Sequence, residues 1–264
     1  MYNQDSIQYL MDRPEPSDLF LEARQLAGMQ LQEQFKRFNQ FAPPSPLPAF
    51  HWVKAELTYP SFDHLSFAYK NTIFSVVIEV WDGTDSSFTE QQRERLLDAC
   101  RANQLIPCVF SIDYSDELEP ISDGWNLLHA ETRAPIDPLL ISSEDPVVMS
   151  AWELTNFAIQ VVRDDLKKQG NEVLSFCDLP KVNPQIWFRD NEGKICWVIV
   201  QYSTTKEPLS AQTWLGFEQS NEALKSYSGY FAGVRVQSVH PEPLRGDGMM
   251  VDYRGLEKIY DGKD

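Results

Sequence analysis

The sequence predicts an α/β protein built from two similar α-β-β-α-β modules, each a mixed sheet flanked by helices. Three observations carry this. Residues 65–69 and 72–81 flank Lys70-Asn71, and residues 184–189 and 195–202 flank the polar run 190–194. β-Branched and aromatic runs joined by Asn, Asp or Gly clusters read as hairpins. The second arm of each hairpin is almost wholly apolar, as expected of central strands covered on both faces. The order helix, hairpin, helix, strand occurs in both halves, and residues 73–80 align with 195–202 without a gap. The modules span 1–140 and 141–264. Internal duplication and chance recurrence of two ordinary α/β units explain the order equally well.

The elements follow in turn. Ser17 caps a helix over 18–40, with Ala27, Leu31, Phe35 and Phe38 at helical spacing. The proline-rich run 41–48 ends it as an extended, stiff connector. Residues 51–58 read as a strand that leads into the first hairpin, and 81–84 as a turn. Ser87 with Glu90 has the capping-box spacing and starts a helix running to Asn103. Residues 105–112 form the next strand, and 113–145, rich in Pro, Asp, Ser and Gly, read as loop and interdomain connection. Asp145 as cap and Pro146 at the first position open the second strong helix. Its apolar stripe is Val147, Ala151, Leu154, Ala158 and Val161, and Gly170 ends it. A short strand over 173–176 precedes the second hairpin. Residues 214–227 suit an irregular helix, 229–238 a strand, and 249–253 an edge strand.

The formal net charge is -16. That disfavours nucleic acid, which needs a clustered positive field, and it would steer a basic protein toward this one. No apolar run approaches the ~20 residues that span a bilayer, and residues 1–18 lack the apolar core of a signal peptide. The expectation is a cytoplasmic protein with no membrane partner. Cys100, Cys108, Cys177 and Cys196 are scattered, with no CxxC pair and no His at metal-ligand spacing. They read as reduced core thiols, and no metal or other cofactor is expected.

In the order helix, strand, hairpin, helix, strand, and in the Pro184-Gln185-Ile186-Trp187-Phe188 opening of the hairpin, residues 145–238 resemble the core of the PD-(D/E)XK nuclease superfamily. The resemblance implies a carboxylate on the first hairpin strand and Glu-x-Lys on the second, because two carboxylates on adjacent strands hold Mg²⁺ while the Lys positions water. Carried over, the positions hold Gln185 for the first acid, Ile199 for the Glu and Gln201 for the Lys. Glu153, on the preceding helix, keeps an acidic role, or serves as the capping partner of Ser150. The resemblance thus implies a module without nuclease chemistry. In the first half, Asp63 and Glu79 are the acidic candidates, with Trp81 where a Lys would stand.

The best surface candidate is the acidic run Asp113, Asp116, Glu117, Glu119 and Asp123 beside Tyr114 and Trp125, where carboxylates would meet a basic partner and the aromatics anchor it. The sequence therefore points to non-catalytic protein binding, in the manner of an acidic bacterial immunity-type antidote that neutralises a basic toxin. The alternatives are a divergent metal-dependent nuclease using Asp63 and Glu79, or an adaptor subunit of a larger complex.

Overall fold

The structure, a computed structural model, describes residues 7–8, 17–42, 48–55, 64–114, 117–122 and 124–262. In chain order come β1 (Ile7–Gln8), α1 (Asp18–Asn39), β2 (Phe50–Lys54), β3 (His64–Tyr69), β4 (Thr72–Trp81), α2 (Glu90–Asn103) and β5 (Ile106–Asp113). Then come β6 (Glu119–Pro120), β7 (Leu128–His129), α3 (Pro138–Ile141) and α4 (Ala151–Lys168). The rest is β8 (Glu172–Phe176), β9 (Val182–Asn183), β10 (Ile186–Arg189), β11 (Ile195–Ser203), β12 (Ser228–Gln237), β13 (Met250–Tyr253) and β14 (Glu257–Tyr260). Three 3₁₀ turns lie between β11 and β12. The chain forms two compact units, and its last change from one to the other falls between Val147 and Val148. Each is an α/β unit built on a mixed sheet, as the fold class predicts.

In the N-terminal unit the strands run β2-β3-β4-β5-β6, with β7 also paired to β5. Ser17 Oγ accepts from Phe20 N and starts α1, whose buried positions Ala23, Ala27, Leu31 and Phe35 recur at one helical turn. That stripe meets one face of the sheet. Phe35 lies 5.5 Å from Phe50, 5.0 Å from Phe67 and 4.9 Å from Trp52, centroid to centroid. Lys70, at φ 54, turns β3 into β4, and β4 then runs parallel to β5 through the α2 crossover. The helix α2 is capped by the reciprocal pair Thr89 and Gln92, not by Ser87 and Glu90. Ser87 Oγ instead accepts from Val80 N at 2.8 Å. The segment after β5 is also less open than its composition suggested. It supplies β6 and β7, both paired with β5, and so belongs to this unit's sheet.

The C-terminal unit orders its strands β13-β12-β11-β10-β8, with β14 also on β12. It takes in β1, which pairs in parallel with β9, so these first residues leave the module that the sequence assigned them to. The helix α4 starts at Ala151 rather than at Pro146, because the Ser150–Glu153 capping box supplies the stronger start. Val148 is held extended in a bridge to Leu244. The face of α4 carrying Leu154, Ala158, Ile159, Val162 and Leu166 packs on Val198, Val200, Ala232 and Val234. The opposite face of the sheet buries Trp187, Trp197, Ile199 and Phe231 under Trp214 and Phe217 of the 3₁₀ turns.

The two units share more than element order. Phe74 pairs with Ile106, and Cys196 with Ser228, across the parallel strands. The partners are the same number of residues apart in both units, so the gapless alignment of β4 with β11 extends to their neighbours. In both strands the matched residues Phe74/Cys196, Val76/Val198 and Ile78/Val200 face the first helix of the unit. Position 79 of one unit thereby falls on position 201 of the other.

Candidate functional site

In the C-terminal unit the positions to which the resemblance would assign nuclease chemistry hold neutral side chains. Gln185 is buried beside the cis Asn183–Pro184 bond. Its Oε1 accepts from Val200 N at 2.7 Å, and its Nε2 donates to Asn183 Oδ1 at 2.8 Å. The amide ties the entry of β10 to β11. Ile199 is fully buried among the indoles and phenyl rings of the second core face. Gln201 is partly exposed, at the end of the same strand face.

Glu153 does keep its charge balanced, and by a partner the sequence did not reveal. Arg245 Nε donates to Oε1 at 2.8 Å and Nη2 to Oε2 at 2.9 Å, with the two side chains only 6% and 3% exposed. Glu153 Oε2 also accepts from Ser150 N at 2.9 Å. Its role is therefore a buried cap and clamp. Gln185 and Gln201 do come together. They line a cleft of about 360 Å³ with Thr155, Lys181, Asn183, Tyr202, Leu209 and Trp214. Ile199 and Glu153 are not among its lining residues.

In the N-terminal unit, Glu79 stands on β4 opposite Ser111 of β5. Ser111 Oγ donates to Oε2 at 2.5 Å, Arg133 Nη2 to Oε2 at 2.6 Å, and Ser86 Oγ to Oε1 at 2.7 Å. Burial pushes the carboxyl up, but the bonds from Ser111, Ser86 and Arg133 outweigh it and hold Glu79 below the usual carboxylate range. Both oxygens are thus committed to joining β4, β5 and the turn that places Arg133 at φ 59. By ladder position Glu79 corresponds to Gln201, the position the resemblance gives to Lys. Asp63 lies outside the described residues. Among the described residues, no group of three or more His, Cys, Asp or Glu is placed to hold a metal ion.

The acidic surface falls at one end of the N-terminal sheet. Asp113 sits directly opposite Glu119 across the β5–β6 ladder. Tyr114 follows, 44% exposed, its N–H donating to Trp81 O, and Glu117 and Ile121 are exposed beside it. Asp116 lies outside the described residues. Trp125, expected as a surface anchor, is instead in the core. It is 7% exposed, stacked 5.3 Å from Phe38 and tilted against Phe50 at 5.0 Å, centroid to centroid. A tryptophan flanked by polar residues in sequence was the closing residue of the α1 aromatic cluster.

The sequence reading also missed Asp82 and Asp85, which follow β4 at the same end of the sheet. Asp82 Oδ1 accepts from Asp85 N and Thr84 N, and these bonds hold its carboxyl below the usual range. Only the β4–β5 register, Trp81 beside Asp113, shows that the two acidic segments meet.

A family model described as a domain of unknown function (DUF8840) matches residues 152–259. Over this stretch, less than half of the chain, the protein is similar to that family, and the stretch includes every residue of the cleft but Ala151. No curated protein and no solved structure matches the chain. Among the described residues no helix is long and apolar enough to cross a membrane.

Proposed function

We propose that this chain is a non-catalytic binding protein that recognises a basic protein partner through the acidic rim around Tyr114, as an immunity-type antidote would neutralise a toxin. The observation that carries this reading is the acidic edge of the N-terminal sheet, where Glu117 and Glu119 are exposed and Asp113 is the ladder neighbour of Glu119. Cationic side chains of a partner would be attracted to it. Tyr114 and Ile121 supply exposed apolar surface next to the charges, the arrangement of an anchor within a polar rim. The net charge of -16 adds long-range steering. The positions that would carry nuclease chemistry hold a buried amide, a buried isoleucine and a carboxylate already bound by three donors, which supports binding over catalysis.

On this reading the protein works in the cytoplasm, where Cys100, Cys108, Cys177 and Cys196, all buried and none in a disulfide, remain thiols. Burial pushes Cys100 up to about 12, far from a reactive thiolate.

The test is affinity capture from the native host, with the intact protein and with Asp113→Asn/Glu117→Gln/Glu119→Gln as baits. The intact bait should retain a discrete basic protein at about 0.1 M salt and release it near 1 M, where the screening length falls to about 3 Å. The neutralised bait should retain at least about tenfold less, because peripheral charges govern encounter. Equal capture of the same protein by both baits would move the interface elsewhere. Absence of any discrete basic protein on the intact bait would contradict the reading.

A further inference from the structure

The cleft of the C-terminal unit has a polarity that protein binding through the opposite unit's acidic rim does not use. Its walls come from the first turns of α4 (Ala151, Thr155), the segment entering β10 (Pro180, Lys181, Asn183, Gln185), the end of β11 (Val200, Gln201, Tyr202) and the following loop (Leu209, Trp214). No carboxylate is among them, in a protein with 39 acidic residues. Of the acids nearest in sequence, Glu207 is exposed and two are occupied. Glu153 is clamped by Arg245, and buried Asp178 accepts from Trp152 Nε1 at 3.1 Å.

The polar groups of the cleft divide into two sets. Asn183 and Gln185 satisfy each other and the β11 backbone, forming a fixed neutral floor. Thr155 Oγ1 donates to Ala151 O at 2.7 Å. Lys181 Nζ, the Gln201 amide and the Tyr202 hydroxyl have no side-chain hydrogen bond or ion pair among the described residues. A cation, a phenol and an amide are donors seeking an acceptor. The N-terminus of α4 adds positive potential on the same side. Pro180, Val200 and Leu209 add apolar surface to the cleft, and Trp214 adds its ring and a buried Nε1 with no hydrogen-bond partner among the described residues. The volume is within the range of small-molecule sites, roughly 300–1,000 Å³.

We propose that this cleft binds a small organic oxyanion, a carboxylate or phosphate carried on an apolar or planar body. The oxyanion sits against Lys181, Gln201 and Tyr202, and the body lies along Leu209 and Trp214. A cleft meant for a cation would carry carboxylates, and one meant for an apolar ligand would not gather donors that have no partner among the described residues. A polymeric nucleic acid is disfavoured by the overall charge.

The test is calorimetric titration of the whole chain with phenyl phosphate, benzoate and benzyl alcohol, probes that share one ring and differ in the charged group. At least one anion should bind saturably, and the neutral alcohol about tenfold or more weaker, as expected for loss of a charge-assisted bond. Which anion binds tighter distinguishes a phosphate from a carboxylate ligand. Lys181→Met, at an exposed position, should weaken the anion about tenfold while leaving the melting temperature and the alcohol unchanged. Gln201→Leu should weaken it in the same direction. The proposal is overturned if neither anion gives saturable heat below about 10 mM, a bound equivalent to only a few kcal/mol. It is equally overturned if alcohol and anions bind alike, or if Lys181→Met binds the anion as the intact protein does.

Discussion

Gly229→Ala should unfold the C-terminal unit or cut its stability by at least about 3 kcal/mol, the upper part of the usual range for overpacking a core. Gly229 is the ladder neighbour of Trp197 across β11 and β12. A Cβ at this position would stand 2.2 Å from the indole ring. The ring has nowhere to go, since Trp197 is fully buried and its Nε1 donates to Leu224 O at 3.2 Å. The melting temperature should therefore fall by roughly 10 °C. Gly28, within α1, provides the opposite case. A Cβ there meets nothing within 4 Å, so Gly28→Ala should stabilise by up to ~1 kcal/mol through helix propensity alone. Thermal unfolding followed by circular dichroism checks both signs. A Gly229→Ala protein melting with the intact one would mean that β11 and β12 do not pack as described.

Arg245→Met should be the next most damaging change, at about 3–5 kcal/mol, because it strands a buried carboxylate rather than merely losing a contact. Glu153 and Arg245 form a two-pronged pair between the first turn of α4 and the loop after β12. Glu153→Gln/Arg245→Met should recover most of the loss. The amide carries no charge, and it still presents an oxygen to Ser150 N, the capping contact worth about 1 kcal/mol. Urea unfolding of the single and double variants gives the coupling directly. If the double variant is as unstable as the sum of the two single changes, the pair is not the clamp described.

Much of the fold was legible because its local signals agree. The stripe from Ala27 to Phe35 and the Lys70-Asn71 turn each state their element in a few adjacent residues. Boundaries were lost where two signals competed. Asp145-Pro146 and Ser150–Glu153 both announce α4, and only the second offers a reciprocal pair of hydrogen bonds. What could not be read were partnerships across long separations. Arg245 neutralises Glu153 and Arg133 binds Glu79, yet no spacing rule links those residues. Trp125 was misplaced for the same reason. Its polar neighbours argue for the surface, while its contacts with Phe38 and Phe50 are set by tertiary packing. The cleft became visible only when β11, the entry to β10 and α4 were brought together.

We propose that the positions which the nuclease resemblance would fill with metal-binding carboxylates are neutral or already committed in this chain. The most direct measurement incubates the purified chain with Mg²⁺ or Mn²⁺ and single- and double-stranded DNA and RNA, beside Glu79→Ala and Glu153→Ala variants. The account predicts no cleavage above that of the variants and, by calorimetry, no saturable metal binding that depends on Gln185, Gln201 or Glu79. Cleavage by the intact chain that disappears in Glu79→Ala would contradict it, and would make Glu79 a catalytic carboxylate rather than the hub that joins β4, β5 and Arg133.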